Sequence, residues 1–241
     1  MLTAATAGLL RVAEPAERRL LLLIYHRVLP DRDELFPREI TAEVFDWQMR
    51  SLAKHLAPLP LTEAIERLEA GTLPRRAVAV TFDDGYADNL AVAAPILRGA
   101  GVPATFFVAT GYLGGGRMWN DTVIEAVRRL PDGEHDFGPL GLPARTVRGV
   151  EGRRAFCRDF ITSIKHHPHA ERQARADQLA AYVGRALPDH LMMAPAQVAE
   201  LAGLGFEIGG HTVSHPILRV LDGPEAAREI AEGRSELERI V

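Results

Sequence analysis

The sequence has few of the residues that cross-link a chain or hold it in a membrane. It contains one cysteine, Cys157, in 241 residues. An internal disulfide is therefore excluded, as is a cluster of thiolate metal ligands. Cys157 falls in a helical pattern among Phe156, Phe160 and Ile161, where a small buried hydrophobe is expected rather than a reactive thiol. The apolar run Leu20–Ile24 is far shorter than the roughly 20 residues a membrane-spanning helix needs, so no transmembrane segment is expected. Met1–Leu10 is mildly apolar but has no basic start, so there is no clear signal peptide. A single cysteine suits a reducing cytoplasm without fixing the location. Excess basic charge is missing too. The formal net charge is -4 and no face is rich in lysine or arginine, so a nucleic-acid partner is not expected.

What is present suffices for a packed core. Hydrophobic residues make up 47% and charged residues 25%, which argues against disorder. The length suits one domain over 1–241. Leu20–Tyr25 and Ala77–Phe82 are short continuous apolar runs, the pattern of strands buried on both faces of a parallel sheet. Ala104–Ala109 and Phe206–Gly209 read as two further strands. Thr41 can cap a helix carrying Phe45, Met49, Leu52 and Leu56, and Thr62 can cap another that stops at Gly71. Asn89–Ala100 closes at Gly101 and completes a βαβ unit with the strands on either side. Residues 119–187 look mostly helical, with a loop over Pro131–Pro143 and a break near Pro168, and are expected to form an insertion over one face. Gln197–Leu204 reads as a short helix. Pro224 opens a last helix that directs Ala227, Ile230, Leu237 and Ile240 toward the core. Strands alternating with helices give an α/β fold with a parallel sheet or barrel.

In such folds functional groups gather at the carboxyl ends of strands. Three predicted strand ends carry polar groups: His26-Arg27, Asp83-Asp84 and His211 with His215. Asp-Gly after Asp83 could simply make a tight turn. However, a helical pattern follows instead of a second hairpin strand, and adjacent carboxylates at a buried strand end repel unless a cation compensates. Gly209 and Gly210 allow a bend before His211, and two histidines four apart can face one way. Two imidazoles and one carboxylate form a usual first shell for a catalytic zinc, with a position left for water.

The stretches TFDDGY (Thr81–Tyr86) and HTVSHP (His211–Pro216) together resemble the polysaccharide deacetylase family, the NodB-like carbohydrate esterases. The likeness covers roughly residues 20–241 and includes Leu23–Arg27 and Ala104–Phe107. It implies a distorted (β/α) barrel with fewer than eight strands. It implies Asp84, His211 and His215 as metal ligands, with Asp83 as catalytic base. It further implies removal of N-acetyl groups from a polysaccharide or oligosaccharide of N-acetylated sugars. Zinc is the default cofactor, although other first-row divalent ions accept such ligands. The family's later motifs, an aromatic Pro-Tyr groove, an arginine that steadies the base and a Leu-x-His acid, are not found before Val241. We therefore expect a barrel lacking its C-terminal part, with self-association through the open edge.

Other residues have competing readings. His26 and Arg27 could contact substrate or simply be satisfied at a strand end. Trp119 could offer a platform for a sugar ring, or pack while Asn120 or Asp121 caps the helix. His166, His167 and His169 read as a solvated helix end, and Glu225–Arg239 as the wet face of an amphipathic helix. Two other functions stay open: a sugar- or partner-binding module that keeps the metal site, and an amidase acting on a small cyclic amide.

Overall fold

The structure is a computed structural model that describes residues 19–241; the reading of Met1–Leu10 lies outside them. Strands β1 (Leu21–Tyr25), β2 (Ala57–Pro58), β3 (Ala77–Phe82), β4 (Ala104–Val108) and β7 (Glu207–Gly210) form one parallel sheet. Its order is β1-β3-β4-β7, with the short β2 also on β3. Among the described residues the sheet does not close into a barrel, and the α/β class expected from the sequence holds. Helices α1 (Ala42–His55), α2 (Leu61–Glu69), α3 (Ala94–Ala100) and α7 (Pro195–Gly203) connect the strands, and α8 (Gly223–Ile240) follows β7. A π-helical turn, Asn89–Ala93, leads into α3. No helix among the described residues is long and apolar enough to cross a membrane.

Every residue of β3 is buried, as its unbroken apolar run requires of a central strand. The register sets Tyr25 beside Phe82 and Phe82 beside Phe106. Their rings stack at 5.5 and 4.8 Å, and Phe206 meets Phe106 edge-on at 5.3 Å. This aromatic row crosses the sheet one residue before Asp83. It locks the strand ends at one level, and the Asp83 N–H donates to Tyr25 O at 2.9 Å. Phe45 and Met49 from α1, Leu97 from α3 and Val198 and Leu201 from α7 complete this core.

Several expectations need correction. β1 is not buried on both faces. It is the edge strand, with Leu21, Leu22 and Ile24 exposed at 48%, 50% and 62%, because nothing among the described residues covers its outer side. Of the four α8 residues expected in the core only Leu237 is fully buried; Ala227 and Ile230 face outward because, among the described residues, the sheet ends at β7. Thr41 caps α1 as expected, its hydroxyl accepting from Val44 N–H. Thr62 does not cap α2. Pro60 precedes that helix, and the carboxylate of Glu207 in β7 accepts from the Leu61 and Thr62 N–H groups instead, while Thr105 Oγ1 donates to it at 2.6 Å. Glu207→Ala should therefore cost about 1–3 kcal/mol, the worth of hydrogen bonds to a charged acceptor left unmade. Urea unfolding monitored by circular dichroism measures that loss.

Residues 119–187 gather a second apolar core around α4 (Trp119–Arg129), α5 (Gly149–Ile164) and α6 (His169–Val183). The stretch read as a loop holds β5 (Gly133–His135), which pairs antiparallel with β6 (Arg145–Val147). Alternation over three residues is too short to register as a strand in sequence. Cys157 lies in this core at 1% exposure, and burial pushes its thiol up to about 12, which makes it inert.

Candidate metal centre

The ends of β1, β3 and β7 bring the predicted residues to one rim. Asp84 leaves β3 in the left-handed region, at φ 79°, and Gly85 follows at φ 91°. A Cβ on Gly85 would come within 2.9 Å of Val108 Cγ1, so glycine is required both for conformation and for space. His211 begins the loop after β7, its N–H donating to Val108 O at 2.9 Å. Thr212 and His215 both have positive φ, 67° and 52°. Three non-glycine residues in this region within one site is the kind of strain that a surrounding structure must hold.

That restraint is visible. Thr110 N–H donates to Thr212 O and Gly111 N–H to Val213 O, at 3.1 and 2.9 Å. Glu229 of α8 accepts from Val213 N–H at 2.9 Å, Ser214 N–H at 2.8 Å and Ser214 Oγ at 2.7 Å. Gly209 and Gly210 do not bend the chain before His211, because both lie within β7. Gly209 is needed because a Cβ there would meet the Phe107 ring at 2.5 Å.

The result is a convergent set. One donor atom each from Asp84, His211 and His215 lies within 4.8 Å of the others. His215 Nε2 and His211 Nε2 stand 3.3 and 3.6 Å from Asp84 Oδ1. Asp84 is 5% exposed, and its Oδ1 has no hydrogen-bond partner among the described residues. Burial raises its pKa, His26 and His211 pull it down and Asp83 adds to the rise. Burial lowers the pKa of both histidines, which favours the neutral imidazole that a metal requires. An unsatisfied buried carboxylate oxygen facing two neutral imidazoles fits a divalent cation.

A cavity of about 460 Å³ opens beside Asp84, lined among others by His26, Arg27, Tyr86, Asn120, Asp121 and Arg128. His26 is exposed on this wall. Arg27 is engaged by protein: its Nε donates to Asp88 Oδ2 at 2.8 Å and its guanidinium covers the Tyr86 ring at 4.8 Å. Tyr86 donates its hydroxyl to the Asp121 carboxylate at 3.2 Å, and burial pushes Asp121 up to about 6. Asp121 also accepts from Met118 N–H at 3.1 Å, so it secures the start of α4 from inside the first turn; neither it nor Asn120 is the residue before the helix. Trp119 is not on the cavity wall. It is 8% exposed and packs in the helical core, with Arg172 stacked on it. His167 pairs with Glu171 at 2.8 Å.

Glu229 was missed because it reads as one charge among many on the wet face of α8. Its pKa is lowered, against the effect of burial, by the Ser214 and Val213 donors. Glu229→Ala should weaken metal binding roughly 10-fold or more, the scale seen when groups that orient ligands are removed. Competition with a zinc-responsive dye reads the change.

The polysaccharide deacetylase family model matches residues 70–142, the stretch that holds Asp83 and Asp84. No curated protein matches the chain. Among solved structures, the chain resembles the Streptococcus pyogenes deacetylase PplD in complex with acetate. That match has 18% identity and a TM-score of 0.55, over 92% of this chain and 68% of that one. It also resembles IcaB from Ammonifex degensii, with 22% identity and a TM-score of 0.52, over 92% and 69%. A polysaccharide deacetylase from Bacillus cereus matches with 15% identity and a TM-score of 0.52, over 93% of this chain and 48% of its own. At these identities the likeness is one of fold. The family profile thus covers the first of the two motifs, and the likeness of fold extends over most of the chain.

Proposed function

Starting from a chain that resembles the polysaccharide deacetylases in profile and fold, we propose that it is a metal-dependent hydrolase that removes N-acetyl groups from a polysaccharide of N-acetylated sugars. The convergence of Asp84, His211 and His215 around an unsatisfied carboxylate oxygen carries this reading. These three residues would hold a divalent ion, zinc by default. When bound, such an ion supplies a Lewis acid and lowers the pKa of water.

The remaining chemistry belongs to the chain. Asp83 is half-buried beside Asp84 and fixed by its N–H bond to Tyr25 O. Its carboxylate takes the proton from the attacking water. The cavity beside Asp84 takes the sugar, with His26 and Asn120 on its wall and Arg27 held rigid by Asp88. Burial of the site strengthens each charge interaction as water leaves.

The test is metal content after purification, with acetate release from an N-acetylglucosamine oligomer assayed on the same sample. Bound metal together with acetate release supports the proposal. Metal without acetate release points to a binding module, and absence of metal overturns the ligand assignment.

A further inference from the structure

Helix α6 begins with two polar atoms that no group among the described residues satisfies. His169 Nδ1 and Arg172 Nε are buried without a hydrogen-bond partner. The two residues are three apart, so they share one face of the first turn. Arg172 is 5% exposed, an unusual place for a guanidinium without an acid partner. Among the described residues its electrostatic surroundings contain Tyr112 but no carboxylate. Stacking on Trp119, 5.2 Å from the ring centroid, relieves part of the cost of burying this charge. It does not neutralise it. Only Nε is sealed, so the terminal nitrogens keep access to solvent.

The surroundings of these groups carry both signs, with Glu229 acting on His169. The charges of Arg172 and His169 both act on His215. Arg172 also acts on Tyr112, whose hydroxyl donates to Ser214 O at 3.2 Å in the His211–His215 loop. No side chain caps the start of α6, which leaves its first N–H groups and the positive end of its dipole in place. Glu229, the nearby carboxylate, is occupied by three donors of the histidine loop.

We propose that Arg172 and His169, at the start of α6, form a subsite for a small carboxylate or similar oxyanion beside His215. A mostly buried guanidinium with no carboxylate partner among the described residues is the observation that points to an anion there. Two sources share this chemistry: acetate released by the proposed reaction, on which that source rests, and an acidic substituent carried by the sugar polymer.

Trp119 is a built-in reporter, because Arg172 lies on its ring. The only other tryptophan is Trp47. In the full chain with Trp47→Phe, fluorescence is followed while sodium acetate is added, with neutral acetamide as control, both after chelation and after loading with zinc. A saturable response to acetate and none to acetamide is expected in both states. Arg172→Gln should raise the half-saturating concentration roughly 10-fold or more, as for a lost charge-assisted hydrogen bond. Arg172→Lys should fall between, keeping the charge but losing the fork. N-acetylmuramic acid set against N-acetylglucosamine then separates the sources: preference for the acidic sugar assigns the anion to the polymer, and equal binding of the two assigns it to released acetate. No saturable response overturns the subsite, as does a response seen only with zinc, or one unchanged in a folded Arg172→Gln. If that variant does not fold, an unchanged half-saturation in Arg172→Lys is the overturning result. Failure here leaves metal content and acetate release intact, so it is distinct from failure of the proposed function.

Discussion

Asp83→Asn should slow acetate release about 10²- to 10⁴-fold, the usual contribution of a positioned general base, and should leave metal content as in the unaltered chain. Asparagine keeps the shape of the side chain and the backbone bond to Tyr25 O, and removes only the ability to take a proton. The substitution therefore separates two neighbouring carboxylates by role. Asp83 is half-buried, whereas Asp84 is 5% exposed and faces both imidazoles. If Asp83→Asn lost its metal, Asp83 would be a ligand and the assignment of the pair would have to be exchanged. If it retained full activity, the base would have to be sought elsewhere. Steady-state kinetics on an N-acetylglucosamine oligomer, with metal quantified in the same preparation, decides among these outcomes.

Zinc should stabilise the chain strongly, by about 2.7 kcal/mol when free metal is a hundredfold above its dissociation constant, and Asp84→Ala or His215→Ala should abolish the gain. The unsatisfied Asp84 Oδ1 and the positive φ at Asp84 and His215 are costs that only the native state bears. A cation that binds the assembled site and not the unfolded chain offsets them. Thermal unfolding with zinc and with chelator, on the parent and both variants, measures the effect. In chelator, each variant should differ from the chelated parent by no more than the loss of that one side chain.

The same linkage has a pH sign. Burial holds the folded pKa of His211 and His215 below the ordinary histidine value. The unfolded chain therefore takes up protons first as pH falls through about 6.5, and folded stability drops from there downward. Protons also compete with metal for the imidazoles. The lowered folded values mean that metal loss should have its midpoint below that point. Asp84 acts in the opposite sense, since burial raises its pKa and protonation relieves a cost. His215→Ala isolates the histidine part.

The sequence by itself determined the strand and helix alternation and placed four candidate residues after strand ends, because these depend on local spacing. An unbroken apolar run makes a strand, and a motif at its end inherits the location. Cys157 and Thr41 were legible for the same reason: their roles depend on neighbours along the chain. What the tertiary structure decided were the properties that depend on which elements become neighbours. The apolar run of β1 gives no sign that its strand lies at an edge, because edge or centre is set by sheet order. Trp119 keeps two readings, platform or core, until α6 places Arg172 over it. Glu207 and Glu229 look like ordinary surface acids, yet one holds the start of α2 from 146 residues away and the other holds the histidine loop from 15. A carboxylate accepts from whatever N–H groups folding brings within reach, and chain spacing carries no information about so distant a partner.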